Sequence, residues 1–338
     1  MDIKENVSLK PYNTFGIDVK AKHFVEVNGL AQLARLLQLS AYPNRFVISG
    51  GSNMLLTKDI DALVMHINLK GIKIIKDEDD FVIVKVMAGE NWHKLVLWTL
   101  DQGYGGLENL SLIPGNTGTA PIQNIGAYGV ELKDVFVSCE AMNISNQELI
   151  SFSKEACQFG YRDSIFKNTA KGNYIITSVQ LRLSKRNHVL HTFYGEIEHE
   201  LKDMGVITPT IKEVSNAVIS IRSKKLPDPN EIGNSGSFFK NPVISKKTFE
   251  KFQKKHPNAP FYEQENHEFK IPAGWLIEQC GFKGKRFGDV GVHEKQALVL
   301  VNYGNAKGQE IVKLAEKIQS TVKEKFGIRL TPEVNIIK

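Results

Sequence analysis

A glycine-rich stretch from residue 103 to about residue 129 is the feature that most limits what this chain can fold into. Its length without a predicted helix or strand is unusual in a compact domain, and such connections are more often functional than structural. Four glycines fall within residues 115–129, separated mainly by uncharged amides and hydroxyls. Backbone N–H groups can approach a phosphate closely at glycine, so the stretch favours a pyrophosphate and a hydrogen-bonding ring over a purely structural loop.

A second glycine-rich loop, Gly50-Gly51-Ser52-Asn53, directly follows a predicted strand that ends at Ser49. It has the donors of a phosphate-binding turn, and an ordinary turn between two strands explains it equally well. Neither loop has the G-x-x-x-x-G-K-[ST] pattern of a P-loop, and neither opens a helix with the G-x-G-x-x-G of a Rossmann site. A dinucleotide held by two separate loops is the remaining interpretation.

The composition is that of a globular protein and excludes several classes. The 338 residues allow two or three domains, and no apolar run approaches the roughly 18 residues of a membrane helix. The N-terminus lacks the apolar core of a signal peptide, so we expect a cytoplasmic protein without membrane insertion. The three cysteines, Cys139, Cys157 and Cys280, form no C-x-x-C pair and the nine histidines show no ligand spacing, so we expect no metal site.

The net charge of +6 comes from 43 basic and 37 acidic residues. The lysines and arginines are spread along the chain, without the interleaved aromatic residues that are typical of nucleic-acid binders. We therefore expect no nucleic-acid partner, and the positive charge would instead attract small anions.

Short strands and helices alternate without a repeating βαβ pattern, which predicts an α+β fold. The rigid break at Leu226-Pro227-Asp228-Pro229 predicts a domain boundary. Apolar periodicity predicts helices at residues 92–100, 210–221, 245–255, 272–280 and 308–326, and strands at residues 135–142, 174–183, 297–302 and 329–337.

Three further segments are polar where a packed core would not be. The segment Tyr161-Arg162-Asp163-Ser164 presents an arginine, with a local Arg–Asp ion pair as the alternative explanation. In Gly236-Ser237-Phe238 a hydroxyl lies between a glycine and an aromatic ring, and an exposed turn explains this as well. Residues 329–336 alternate between apolar and polar, so Glu333 lies on the polar face and is either functional or simply solvated.

The order of the motifs resembles that of the MurB family, whose members are UDP-N-acetylenolpyruvoylglucosamine reductases. The resemblance covers nearly the whole chain, and several independent motifs in one order make it specific. The matching segments are residues 9–16, 114–131, 161–167, 222–229, 236–242, 273–278, 296–299 and 332–334.

The resemblance implies FAD bound noncovalently by a two-subdomain fold of the vanillyl-alcohol-oxidase type, followed by a C-terminal α+β substrate-binding domain. The implied boundaries are residues 1–70 and 71–226 for the FAD-binding subdomains and 227–328 for the substrate domain, with residues 329–338 returning to the first subdomain. The implied reaction is reduction of the enolpyruvyl ether of UDP-N-acetylglucosamine to UDP-N-acetylmuramate by NADPH. This would be a cytoplasmic step of peptidoglycan synthesis, carried out by a monomer that binds NADPH and the UDP-sugar in turn.

The same resemblance assigns roles to individual residues. Arg162 and a protonated Glu333 would stabilise the negative charge that hydride transfer creates beside the substrate carboxylate, and Ser237 would protonate the carbon. The residues implied at FAD are Gly50, Gly51, Ser52, Asn53, Pro114, Gly115, Gly118, Ala120, Gln123, Asn124, Ile125 and Gly126. Those implied at the UDP-sugar are Tyr161, Tyr194, Arg222, Lys225, Asn241, Lys283 and Gln296, with Tyr194 closing over the substrate as in the type I branch.

Two other functions remain open at this point. One is a flavin oxidase of the same fold that acts on another alcohol or sugar, and the other is a noncatalytic binder of nucleotide-sugars or nucleic acid. One departure from the family pattern precedes Gly50, where the usual glycine is replaced by Ser49. We expect Ser49 to strain the backbone or crowd the phosphate, and so to affect FAD affinity.

Overall fold

The computed structural model describes residues 2–264 and 267–338, and the chain divides into two compact units. The first unit comprises Met1–Val7, Ala21–Gly50 and Ile60–Lys224, and the second comprises Ser8–Lys20, Gly51–Asp59 and Lys225–Lys338. Each unit is therefore built from separate stretches of sequence, and the division falls inside the first glycine-rich loop.

Strands and helices occur in both units, as expected for an α+β fold. In chain order the strands are β1 Lys4–Ser8, β2 Lys20–Val27, β3 Arg45–Ile48, β4 Met54–Leu56, β5 Ile60–Ile67, β6 Ile72–Asp77, β7 Phe81–Met87, β8 Gly126–Ala127, β9 Val130–Glu131, β10 Phe136–Asn143, β11 Leu149–Ser153, β12 Tyr174–Ser184, β13 Val243–Ser245, β14 Tyr262–Glu263, β15 Glu268–Lys270, β16 Arg286–Phe287, β17 Val290–Val292, β18 Leu300–Asn302 and β19 Asn335–Ile337. The α-helices are α1 Leu30–Gln38, α2 Trp92–Asp101, α3 Ile197–Asp203, α4 Ile211–Lys225, α5 Lys246–Lys255, α6 Ala273–Gln279 and α7 Gly308–Phe326.

The first unit contains a four-stranded sheet in the order β1-β2-β5-β3, in which β2, β5 and β3 run parallel. Helix α1 makes the crossover from β2 to β3 that parallel strands require. Its residues Leu33, Leu36 and Leu37 repeat at helical spacing and share a core with Val25 and Met65 of the sheet. The first glycine-rich loop therefore begins at the carboxyl end of a parallel strand.

A five-stranded antiparallel sheet in the order β11-β10-β12-β7-β6 also belongs to the first unit. The alternate residues Val82, Val84 and Val86 of β7 are fully buried, as the two-residue period of a strand requires. They share one core with Trp92 and Leu95 of α2. This core supports the second glycine-rich stretch.

The glycine-rich stretch is ordered, although periodicity predicts no element within it. It contains short 3-10 helices at Glu108–Leu110 and Thr117–Gln123 and a small hairpin formed by β8 and β9. Leu110 and Ala120 are buried in the core of the antiparallel sheet. Segments of two to seven residues are too short to show an apolar repeat, which is why the sequence pattern does not reveal them.

Small sheets and three helices build the second unit. The antiparallel sheet β13-β15-β14 packs against α5, where the rings of Phe249 and Phe269 stack at 3.9 Å. The sheet β16-β17-β18 contacts α7, which also packs against α6. Strand β19 pairs in parallel with β4, so the C-terminal strand returns to residues 54–56.

The five predicted helices are confirmed as α2, α4, α5, α6 and α7, with small differences at their ends. Two predicted strands are shorter than expected. Residues 297–299 precede β18 as a turn, since the Val299 amide donates to the Gln296 carbonyl at 3.0 Å. Residues 329–334 precede β19 and form only isolated backbone hydrogen bonds with residues 238–240. They do not extend the strand, because Pro332 has no N–H to donate.

Candidate active site

The two predicted glycine-rich loops meet in the first unit. A Cβ added to Gly50 would lie 2.8 Å from the Cα of Gly115 and 3.1 Å from the amide nitrogen of Asn116, so only glycine fits there. The Asn116 Nδ2 donates a hydrogen bond to the Ser49 Oγ at 3.1 Å. The expectation that Ser49 strains the backbone is wrong, since its φ is not positive and its hydroxyl connects the two loops.

The second loop is fixed by backbone contacts with β7 and α2. The Gly118 amide donates to the Ala88 carbonyl at 2.9 Å, and a Cβ on Gly118 would lie 2.5 Å from the Cβ of Ala88. The Gly115 carbonyl accepts a hydrogen bond of 3.0 Å from the Trp92 amide. The backbone of residues 115–118 is therefore held close to the end of β7 and the start of α2.

Gly51, Ser52 and Asn53, the rest of the first loop, belong to the second unit. Gly51 has a φ of 58°, and a Cβ there would collide with the carbonyl oxygen of Tyr12. The Asn53 carbonyl accepts hydrogen bonds from the backbone and side-chain nitrogens of Asn335, at 3.2 and 2.9 Å. The backbone of this half of the loop is therefore also held in place.

Asn124 uses its side chain within the protein. It is fully buried, and its Nδ2 donates to the Glu131 Oε2 at 2.9 Å and to the Gly160 carbonyl at 3.1 Å. Its Oδ1 accepts a hydrogen bond of 3.0 Å from the Lys133 amide. Its structural contribution is thus to hold Gly160.

The other residues of this stretch implied at FAD are Pro114, Ala120, Gln123 and Ile125, of which Ala120 and Ile125 are buried.

Arg162 lies at the tip of a tight turn in the first unit. Gly160 and Asp163 exchange backbone hydrogen bonds of 3.1 and 3.2 Å, and Arg162 has a φ of 54°. The left-handed conformation costs a non-glycine residue about 1–2 kcal/mol, so it has to be held by its surroundings. Here the Lys167 Nζ donates to the Arg162 carbonyl at 3.0 Å, and Asn124 holds Gly160. Residues held in this way cluster at functional sites.

A second arginine, Arg222 on α4, lies close to Arg162. The Nη1 of Arg162 is 3.2 Å from the position that a Cβ would take at Gly126, so glycine makes room for the guanidinium group. The Arg222 Nε is shut off from solvent and has no hydrogen-bond partner within residues 2–264 and 267–338. Burial lowers the pKa of Arg222; the interaction with Tyr128 opposes this shift, and the positive charge of Arg162 adds to it. Two neighbouring guanidinium groups are well suited to bind a carboxylate or a phosphate.

Tyr128 and His93 lie near Arg222 of the arginine pair. The sequence analysis did not assign either residue to the site. Burial raises the pKa of Tyr128, although the charge of Arg222 opposes this shift. The His93 Nδ1 accepts a hydrogen bond of 2.9 Å from the Leu112 amide, and burial together with Arg222 lowers the pKa of His93. Tyr128 lies within the matching glycine-rich motif, whereas a lone histidine on a helix gives no signal in the sequence.

Both tyrosines that the resemblance places at the UDP-sugar are exposed, Tyr161 by 52% and Tyr194 by 56%. The Tyr161 ring centre lies 5.9 Å from the Cζ of Arg162. Tyr194 lies against the Tyr128–Gly129 turn, since a Cβ on Gly129 would be 3.2 Å from the Tyr194 Cβ. Exposed aromatic side chains beside a cationic cluster can stack on a ligand or hydrogen-bond to it.

In the second unit, Ser237 and Glu333 lie on paired backbone segments. The Glu333 amide donates to the Phe238 carbonyl at 2.8 Å. Gly236 has a φ of 67°, and its amide donates to the Asn234 Oδ1 at 2.9 Å. The resulting turn leaves Ser237 exposed while Phe238 is fully buried.

The other residues implied at the UDP-sugar also lie in the second unit. The Asn241 Oδ1 accepts a hydrogen bond of 2.9 Å from the first amide of α6, and the Gln296 Oε1 lies 3.2 Å from the Cβ position of the second residue of that helix. Asn241 and Gln296 are therefore brought together. Lys283 forms an ion pair with Glu278 at 2.9 Å, and Lys225 is the last residue of α4.

Within residues 2–264 and 267–338, no helix is long and apolar enough to cross a membrane. Over the same ranges, no three His, Cys, Asp or Glu side chains group as ligands of a metal ion. The three cysteines are free thiols, and Cys139 and Cys157 are buried.

Two family models match this chain. One is described as an FAD binding domain and matches residues 21–153. The other is described as the C-terminal domain of UDP-N-acetylenolpyruvoylglucosamine reductase and matches residues 228–337. Together they confirm the predicted fold class, an FAD-binding region followed by a C-terminal domain of the MurB type.

Full-length relatives give the same assignment. The crystal structure of a MurB reductase from Thermus caldophilus matches over 100% of both chains with a TM-score of 0.71 at 23% identity, which shows a common fold. A protein of Pseudomonas putida named UDP-N-acetylenolpyruvoylglucosamine reductase is 50% identical over 98% of each chain. One of the same name from Flavobacterium johnsoniae is 60% identical over 100% of each. The chain therefore belongs to the UDP-N-acetylenolpyruvoylglucosamine reductase family.

Proposed function

We propose that this protein reduces the enolpyruvyl ether of UDP-N-acetylglucosamine to UDP-N-acetylmuramate, with NADPH as reductant and noncovalently bound FAD as cofactor. The observation that carries the proposal is the pair formed by Arg162 and Arg222. Two adjacent, half-buried guanidinium groups favour an anionic ligand, and the enolpyruvyl carboxylate is one. Within this proposal the enzyme acts as a cytoplasmic monomer in peptidoglycan synthesis.

The glycine-rich loops fit the pyrophosphate of FAD. At Gly50 and Gly118 a neighbouring protein atom stands where a side chain would be, so glycine lets the backbone of these loops pack closely, as a loop that wraps a pyrophosphate must. The Asn116–Ser49 hydrogen bond keeps the two loops together. When bound and reduced by NADPH, FAD would supply the hydride that reduces the carbon–carbon double bond.

Arg162 and Glu333 stabilise the charge that develops during the reaction. A hydride adds to the terminal carbon of the enolpyruvyl group, which spreads negative charge over the adjacent carbon and the carboxylate. A cation and a hydrogen-bond donor beside that carboxylate lower the barrier, and one such donor contributes about 3 kcal/mol in a site that excludes water. The two electrons come from NADPH, which leaves as NADP⁺.

Ser237 protonates the adjacent carbon and completes the reduction. A serine hydroxyl is a weak acid, but the carbon of the intermediate is strongly basic and the proton moves across a short, preset contact. The Gly236 turn supports this role, since it exposes Ser237 while its neighbour Phe238 is buried. The hydroxyl then recovers its proton from solvent.

The diphosphate and the sugar require donors and cations outside the reacting centre. An ion pair as exposed as Lys283–Glu278 contributes little to stability, so Lys283 can exchange its partner for a phosphate. Tyr194 is assigned the closing position over the substrate. The remaining groups assigned to the UDP-sugar are Tyr161, Lys225, Asn241 and Gln296.

The proposal is tested by anaerobic half-reactions of the purified protein. We expect flavin absorbance that NADPH bleaches, and that the enolpyruvyl UDP-sugar restores with formation of one UDP-N-acetylmuramate per flavin. Bleached flavin that only oxygen restores would identify an oxidase of the same fold. A protein without flavin that does not take up added FAD would identify a noncatalytic binder, and either result would overturn the proposal.

A further inference from the structure

Asn109 connects two segments of the candidate active site. It lies in the 3-10 helix Glu108–Leu110 and is only 1% exposed. Its Nδ2 donates two hydrogen bonds, to the carbonyl oxygen of Tyr128 at 3.1 Å and to that of His191 at 2.7 Å. Tyr128 belongs to the turn beside the arginine pair, and His191 belongs to the loop between β12 and α3 that carries Tyr194.

The same two segments touch at a pair of glycines. A Cβ on Gly129 would lie 3.2 Å from the Tyr194 Cβ, and a Cβ on Gly195 would lie 3.5 Å from the Tyr128 Cδ1. Both glycines have positive φ, 82° and 73°, so both backbones follow a path that other residues rarely adopt. The turn and the loop are therefore shaped to lie against each other.

The tip of this loop has little packing of its own. Phe193 is 88% exposed and Tyr194 is 56% exposed. Segments with few buried apolar contacts open readily, so their position depends on individual buried hydrogen bonds. The bond from Asn109 to His191 is one of these.

We propose that Asn109 is a positioning residue that sets Tyr194 beside the arginine pair. It holds the backbone at His191 against the backbone at Tyr128, and so keeps the loop that carries Tyr194 against this turn. Within residues 2–264 and 267–338 the Asn109 Oδ1 has no hydrogen-bond partner, so the side chain acts through its amide nitrogen alone. The inference rests on the proposed function, because it gives Tyr194 a place over the substrate.

The test compares N109L, which keeps the branched shape of the side chain but removes both donors, with S111A two residues away. The Ser111 Oγ bonds to the Ser215 Oγ of α4 at 2.7 Å, so S111A also loses a buried hydrogen bond, but one directed at a helix. Chymotryptic cleavage after Phe193 and Tyr194 then measures how firmly the loop is held, with no substrate present. We expect cleavage about tenfold faster in N109L than in wild type, the scale of one lost buried hydrogen bond, and unchanged in S111A.

A kinetic cycle shows whether Asn109 acts through Tyr194. We expect N109L to raise the KM for the enolpyruvyl UDP-sugar about tenfold while flavin reduction at saturating NADPH stays within twofold. The double variant N109L/Y194A should have the KM of Y194A alone, because a positioning residue has no effect once its target is removed.

Three results separate the possibilities. Additive effects on KM, or equal cleavage of N109L and wild type, would overturn the role of Asn109. A wild-type enzyme that does not turn over the UDP-sugar would overturn the proposed function, whereas the cleavage assay would still decide whether Asn109 holds the loop. N109D, which replaces the donor nitrogen by an acceptor oxygen, enters the same assays should N109L fail to fold.

Discussion

The backbone amide of Glu333 donates a hydrogen bond of 2.8 Å to the carbonyl oxygen of Phe238. This bond fixes Glu333 across from Phe238, the residue after Ser237. The Lys240 amide continues the pairing with a bond of 3.0 Å to the Thr331 carbonyl. Because Phe238 is fully buried, the backbone that carries Ser237 is anchored while its hydroxyl stays accessible. An accessible hydroxyl on an anchored backbone is what a positioned proton donor requires.

Ser237→Ala should separate the two half-reactions. Flavin reduction by NADPH needs no proton from Ser237 and should stay within twofold of wild type. Reoxidation by the enolpyruvyl UDP-sugar should slow about 100-fold or more, the usual scale for loss of a general acid. Stopped-flow flavin absorbance measures both rates.

Ser235→Ala is the matched control for that variant. The Ser235 Oγ lies 3.3 Å from the Thr14 Oγ1 and from the Met54 carbonyl, so this hydroxyl serves the fold of the second unit. We expect Ser235→Ala to change the free energy of unfolding but neither half-reaction. Equal slowing of both half-reactions by Ser237→Ala would contradict the role of Ser237 as proton donor.

Gly50→Ala should weaken FAD binding. The added methyl group would lie 2.8 Å from the Gly115 Cα, so the two glycine-rich loops must separate. Overpacking of this kind costs about 1–3 kcal/mol, or roughly 5- to 150-fold in affinity if it falls on the cofactor site. Titration of the apoprotein with FAD measures the change. Gly29→Ala at the start of α1 is the control, because nothing lies within 4 Å of its Cβ position. Equal FAD affinity in the two variants would contradict a cofactor site at Gly50.

Local patterns predicted the regular elements of this fold. In α7 the apolar residues Ile311, Leu314 and Ile318 recur at helical spacing, and Gly327 ends the helix with a φ of 69°. The same reasoning failed at residues 329–334, where apolar alternation is present but Pro332 removes a donor. Periodicity indicates which side chains are buried. It does not indicate whether the backbone forms the continuous hydrogen bonds of a β-sheet.

Contacts between distant segments could not be predicted from spacing. The glycine at position 50 shows that a close approach is permitted, but only the structure identifies Gly115 as its neighbour. In the same way Arg162 and Arg222 are ordinary residues in their own segments, and the effect of Arg162 on the pKa of Arg222 arises from the fold. The family motifs assigned both arginines a role, whereas Asn109 and His93 were found only from their contacts.

Arg222→Met should lower activity without lowering stability. Burial and the charge of Arg162 disfavour the Arg222 cation, so an apolar side chain of similar length removes an unfavourable interaction from the ligand-free protein. We expect a free energy of unfolding equal to or above that of wild type and a KM for the enolpyruvyl UDP-sugar at least about tenfold higher. Denaturant unfolding and steady-state kinetics measure the two quantities. A marked loss of stability with an unchanged KM would show that Arg222 is structural.

His93→Asn should reduce the loss of stability at acidic pH. The His93 Nδ1 accepts a hydrogen bond from the Leu112 amide, so the folded state requires a neutral ring, and burial together with Arg222 lowers the pKa of His93. The unfolded chain therefore takes up a proton near pH 6.5 that the folded state resists, and stability falls as the pH drops below that value. Asparagine keeps an acceptor near the Nδ1 position and does not titrate. We expect the free energy of unfolding, measured with urea from pH 7.5 to 5.5, to fall less in the variant than in wild type. Some decrease should remain in the variant, because burial also lowers the pKa values of His66 and His293. Identical slopes in the two proteins would mean that the ring of His93 titrates in the folded state as it does in the unfolded chain.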